Sequence, residues 1–166
     1  ILGVGRLGSI VAEYFKAFGA NVIGYDVDKE NLKNITYVDS LRKLIEGSDI
    51  LTIHVNYNEN TRNLIGEEEF KWFKKECYLI NTSRGGVVDE DCLLDPLSTN
   101  KIKGAAVDVV QNERMFDDNN KLLQYSLNNT NLVITPHIGG NTYESFKKTE
   151  VFLANKLASK VKEIFD

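Results

Sequence analysis

Short apolar runs alternate along the chain with longer stretches of helical period. The runs cover residues 21–25, 50–55, 77–81, 105–109 and 132–135. Within each, apolar residues are continuous more than alternating, the mark of strands covered on both faces in a parallel sheet. Between them the pattern predicts helices over about residues 7–18, 40–46, 66–74, 89–98 and 142–164. Strand and helix in repeated alternation imply right-handed crossovers, and so an α/β fold of the Rossmann type: a doubly wound parallel sheet with helices on both faces.

Local signals refine this. Ser40 is placed to cap the second helix, and Thr142 with Glu144 to open the last. In that last helix Phe146, Thr149, Phe152, Leu153, Leu157 and Val161 fall on one stripe. Pro96 conflicts with a helix over 89–98, because proline removes a backbone donor; a kink or a stop near Leu94 is expected. The polar stretch 111–120 reads as a loop beyond the carboxyl end of a strand, where ligands bind in this architecture.

Composition then narrows the function. A chain of 166 residues fits one domain with one buried core, residues 1–166. Its net charge of -4 argues against a nucleic-acid partner. No apolar run approaches the roughly 20 residues needed to cross a membrane. Cys77 and Cys92 are not spaced as metal ligands, so no metal is expected; they read as buried small residues in a reducing cytoplasm. Only Ile1 and Leu2 precede the first glycine, so the sequence reads as beginning inside a strand of a longer protein.

Gly3-Val4-Gly5-Arg6-Leu7-Gly8 fits G-x-G-x-x-G. Gly3 would allow the tight turn, Gly5 the approach of a pyrophosphate, and Gly8 close packing of helix on strand. Alone the motif is weak. Its context is stronger: a helix and a strand follow, and Asp26 stands 18 residues beyond Gly8, where an acid would accept from the ribose hydroxyls. With Asp28 nearby, the negative charge favours NAD over its 2′-phosphorylated form.

Three further segments end in chemistry. Residues 80–90 place Arg84 just past a strand, residues 104–109 lead to Glu113, and residues 134–142 place His137 past another strand. A guanidinium can grip a carboxylate and polarise a carbonyl, an imidazole can deliver a proton near neutral pH, and a carboxylate beside it raises its basicity.

Together these segments resemble the D-isomer-specific 2-hydroxyacid dehydrogenases from Gly3 to about Ser145. The resemblance implies catalytic roles for Arg84, Glu113 and His137. It implies NAD contacts at Gly3, Gly5, Arg6, Leu7, Gly8, Asp26, Val55, Thr82, Ser83, Asp108 and Gly139, with Asp108 at the nicotinamide carboxamide. The substrate would be a small 2-hydroxy or 2-keto acid, and the stretch from His137 to Thr142 leans toward the phosphoglycerate dehydrogenase-like members. The family's other, substrate-binding domain is absent, so the fragment is expected to bind NAD but turn over poorly. A homodimer is expected, because Ile10, Val11, Tyr14, Phe15 and Phe18 give the first helix more apolar surface than one sheet face needs. The chain departs from the family at Arg114 and Asn56, where prolines are usual. Two alternatives are a non-catalytic NAD-sensing module of the corepressor kind, and a non-oxidoreductive Rossmann enzyme such as a hydrolase using bound NAD.

Overall fold

The computed structural model describes residues 1–28, 35–115 and 117–165. They form two compact units, Ile1–Thr135 and Pro136–Asp166. The first holds six strands: β1 (Ile23–Gly24), β2 (Thr36–Tyr37), β3 (Ile50–Ile53), β4 (Tyr78–Asn81), β5 (Gly104–Val107) and β6 (Leu132–Ile134). Its helices are α1 (Arg6–Ala17), α2 (Leu41–Gly47), α3 (Glu67–Lys71), α4 (Glu90–Ser98) and α5 (Lys121–Asn128). The second unit holds α6 (Tyr143–Phe165).

Every strand pair is parallel. One sheet pairs β1 with β2, and the other runs β3-β4-β5-β6. Leu2 joins them, bridging Tyr25 on one side and Ile53 on the other. The full order is therefore β2-β1-Leu2-β3-β4-β5-β6, and its direction reverses at Leu2. A crevice opens at such a reversal, outside the carboxyl ends of the strands.

Side chains alternate across each strand, so the register sorts the core by face. Leu51, Ile53, Leu79, Ala105 and Leu132 point to one face and pack with Leu44, Ile45, Phe70, Leu93, Leu97 and Leu122 from α2 to α5. On the opposite face Ile1, Val4 and Val22 meet Ala12 of α1, with Val11 and Phe15 packed alongside. That face is only partly covered. Ile50, Tyr78 and Val133 lie on it, 46%, 41% and 56% exposed.

Several expectations are corrected. Pro96 neither stops α4 nor breaks it; the helix runs on to Ser98. The proline lies near the end, its ring is buried, and its carbonyl accepts from the amides of Lys101 and Ile102. Two elements have no counterpart in the sequence pattern. In α5, Asn120 accepts from the Leu123 amide as a cap; β2 is two residues long, too short to show a period. Within the polar loop 111–120, Glu113–Met115 form a short 3-10 turn, and Phe116 lies outside the described residues. Cys77 is buried as expected, but Cys92 is only half-buried. Ser40 caps α2 by accepting from Lys43, and Thr142 accepts from the Ser145 amide at the start of α6. Along α6, Phe146, Phe152, Leu153, Leu157 and Val161 are exposed.

Candidate cofactor and active site

The glycine motif occupies the reversal point, and each glycine shows its own reason. Gly3 has φ +85, and a Cβ there would lie 2.8 Å from the Val55 amide nitrogen. A Cβ on Gly8 would lie 2.1 Å from the Gly3 carbonyl oxygen, so the helix packs on the turn through bare backbone. Around Gly5 a Cβ would meet nothing within 4 Å. Packing leaves that space open, at the amino end of α1 where unpaired amides favour an anion. Arg6 and Leu7 follow in the first turn, both exposed.

Asp26 stands at the end of β1. One carboxylate oxygen accepts from the Val4 amide at 2.6 Å, and the other accepts from Asp28 at 2.9 Å. The ribose-binding candidate is thus fastened to the glycine turn itself. Val55 leaves β3 on the neighbouring strand and packs against Gly3.

The next two strands carry the candidate reactive residues. Asn81 closes β4 and is 1% exposed. Its amide donates to the Arg84 carbonyl at 3.0 Å, and its side-chain oxygen accepts from the amide and hydroxyl of Ser83 at 3.1 and 3.0 Å. This side-chain-closed turn presents Thr82, Ser83 and Arg84 past the strand end. Arg84 is exposed, and its guanidinium donates to the Ser83 carbonyl at 2.6 Å. Sequence reasoning passed over Asn81, although an asparagine at a strand end before Thr82-Ser83 is itself a turn signal.

Gly85 and Gly86 then pack on both sides. A Cβ on Gly85 would sit 2.1 Å from the carbonyl carbon of Val110, and one on Gly86 would sit 2.6 Å from the Tyr57 ring. Asp108, 8% exposed, follows β5, with its amide donating to the Asn81 carbonyl at 2.9 Å. The Thr135 hydroxyl donates to its carboxylate at 2.5 Å. Glu113, exposed, opens the 3-10 turn.

Glu90 and His54 are perturbed. Burial, and then Asp91, Asp89 and Glu113, raise the Glu90 carboxyl to about 7, against an opposing hydrogen bond from Gln111. Burial above all lowers His54 to about 4. Its Nε2 pairs with the Thr52 hydroxyl at 2.9 Å, and its buried Nδ1 has no partner among the described residues.

Along the carboxyl edge the order is therefore Asp26, the glycine turn, Val55, Thr82 to Arg84, and Asp108. From the turn to Asp108 is three strand spacings, about 14 Å at roughly 4.8 Å each. A fixed carboxylate, an open helix amino end and a buried polar group lie in line, which suits an extended dinucleotide. His137 and Gly139 belong to the second unit; His137 has a left-handed backbone with φ 53, uncommon outside glycine.

Comparison with known proteins agrees. Residues 1–139 match the family model described as D-isomer specific 2-hydroxyacid dehydrogenase, NAD binding domain. The chain is 36% identical over 161 residues to D-3-phosphoglycerate dehydrogenase of Methanocaldococcus jannaschii, covering 95% of this chain and 30% of that protein. A D-isomer specific 2-hydroxyacid dehydrogenase from Lactobacillus delbrueckii ssp. bulgaricus, solved with NAD, superposes with TM-score 0.85 at 34% identity, over 97% of this chain and 52% of its own. D-lactate dehydrogenase from Aquifex aeolicus, solved with NAD and lactic acid, gives TM-score 0.82 at 35% identity, over 98% and 52%. The chain thus spans about half the length of these solved relatives. With this match over residues 1–139, the chain belongs to the D-isomer specific 2-hydroxyacid dehydrogenase family and carries the family's NAD-binding domain.

Proposed function

We propose that these residues serve an NAD-dependent oxidoreductase that interconverts a D-2-hydroxy acid and its 2-keto acid. The observation that carries the reading is the single carboxyl edge that presents Asp26, the glycine turn, Arg84 and Asp108 in order. When bound, NADH supplies the hydride. Arg84 grips the substrate carboxylate and polarises the keto oxygen, a task suited to a planar fork of donors. His137 delivers the proton to the developing alkoxide, and Glu113 orients it and favours its charged form. Gly3, Gly5, Arg6, Leu7 and Gly8 receive the pyrophosphate, Val55 the adenosine side, and Thr82, Ser83, Asp108 and Gly139 the nicotinamide side.

Two carboxylates at the ribose end, Asp26 and Asp28, favour NAD over its phosphorylated form by repulsion. The stretch from His137 to Thr142 and the similarity to a phosphoglycerate dehydrogenase support a phosphoglycerate-like substrate. Free Cys77 and Cys92 support a reducing cytoplasm, and among the described residues no helix is long and apolar enough to cross a membrane. Leu7, Ile10, Tyr14 and Phe18 form an exposed stripe on α1 that supports a homodimer; sedimentation showing only monomer at high micromolar concentration would exclude it.

The central test is a panel of 2-keto acids with NADH, using the complete polypeptide that carries residues 1–166. Reduction of one to a D-2-hydroxy acid is expected. Tight NADH binding without turnover of any would instead favour a sensing module.

A further inference from the structure

Glu90 has no part in the chemistry outlined above, yet it sits half-buried between its two most important loops. It is the first residue of α4, and its carboxylate accepts from the backbone amide of Gln111, 21 residues away. Gln111 answers in the other direction: its side-chain amide donates to the Val88 carbonyl at 2.9 Å. A third contact closes the arrangement, since Gly85 lies so near that a Cβ there would be 2.4 Å from the Gln111 nitrogen. The turn after Arg84 and the loop before Glu113 are thus pinned through Val88, Glu90 and Gln111, with no side chain between their backbones at Gly85. Two residues beyond Gln111 comes Glu113.

A carboxylate is a costly choice for this place. It is half-buried and has Asp89, Asp91 and Glu113 around it, all opposing its charge. A neutral residue would cost less here, so what the acid contributes is the contact itself, the bond that holds Gln111.

We propose that Glu90 is a positioning residue of the dehydrogenase: by holding Gln111 against the start of α4, it sets the loop bearing Glu113 in register with the turn bearing Arg84. The proposal rests on the dehydrogenase reading. Misplacing a catalytic group by about 1 Å can cost on the order of a hundredfold in rate, whereas the glycine turn from Gly3 to Gly8 lies two strands away across the sheet.

The test has two arms. In the 166-residue chain, amide exchange at Gln111 is followed by NMR. Glu90→Leu should speed it about tenfold or more, corresponding to ~1.4 kcal/mol of lost protection, while Glu90→Gln, which keeps an acceptor oxygen, should stay near wild type. In the complete polypeptide, Glu90→Leu should lower kcat roughly 10- to 100-fold with KM for NADH unchanged, and Glu90→Gln should restore most of the rate. Asp91→Asn, on the same helix but paired to Lys121, controls for general loss of stability. Should Glu90→Leu fold poorly, Gln111→Ala removes the opposite bond and should show a smaller fall in the same direction. Full kcat in both Glu90→Leu and Gln111→Ala, or unchanged Gln111 exchange, overturns the proposal. An inactive wild type instead removes the dehydrogenase reading, and the exchange arm still reports on the clamp.

Discussion

The carboxylate of Asp26 accepts a 2.6 Å hydrogen bond from the backbone amide of Val4, tying the end of β1 to the middle of the glycine turn. In the proposed site this one side chain has two tasks: it shapes the glycine turn through Val4 and offers negative charge to a ribose. The two can be separated. Asp26→Asn keeps an acceptor and removes the charge, so NADH binding should persist while discrimination against NADPH shrinks by about tenfold or more, ~1.4 kcal/mol. Asp26→Ala should weaken both cofactors, because Val4 loses its partner as well. Fluorescence titration of each variant with NADH and NADPH measures this; an unchanged ratio in Asp26→Asn would place the ribose elsewhere.

Two glycines make opposite forecasts. A Cβ on Gly5 meets nothing, so Gly5→Ala should leave the urea midpoint in place yet weaken NADH binding at least about tenfold by filling the approach to the turn. A Cβ on Gly85 would overlap the Val110 backbone, which cannot swing aside as a side chain could. Gly85→Ala should cost about 3 kcal/mol or more. Equal stability loss in both variants would contradict the packing described.

Arg84→Lys in the complete polypeptide should lower kcat/KM for the keto acid by roughly 10²–10³-fold, since a point charge cannot replace a bidentate fork. His137→Ala should abolish turnover and leave NADH affinity nearly intact. Parallel loss of binding and turnover in His137→Ala would make its role structural.

Stability should respond to pH through His54 and Glu90 with opposite signs. Burial holds His54 at about 4, below its ordinary 6.5, so the native state keeps it neutral while the unfolded chain takes up a proton. Its contribution is present above 6.5 and is lost as pH falls toward 4. Glu90 is raised from 4.5 to about 7, so the native state prefers its protonated form, and stability declines as pH rises through that window. His54→Gln should therefore flatten the acid loss, and Glu90→Gln should raise the urea midpoint at pH 8 but not at pH 4. A Glu90→Gln gain confined to acid pH would reverse the assignment.

The parallel sheet was legible because its strands are apolar on both faces and short, a pattern that few other folds share. Asp26 and the glycine turn were legible because their task depends on residue type and spacing. The supports of Arg84 were not. Asn81 acts locally, through Ser83 and Arg84, but Gly85, Gly86 and Gln111 act through contacts between segments far apart in the chain, as in the 2.1 Å approach of Gly85 to Val110, and no local period encodes such a meeting. Pro96 is a related case: its local penalty is real, but its burial is not visible from neighbouring residues.

The half-covered face of the sheet has a practical consequence. Ile50, Tyr78 and Val133 offer water a ready-made greasy plate, so the 166-residue chain prepared by itself should bind fluorescent hydrophobic dyes and stick to columns even when correctly folded. Surface replacements at those three sites, such as Val133→Thr, are the place to begin in making a well-behaved cofactor-binding module for titration and NMR.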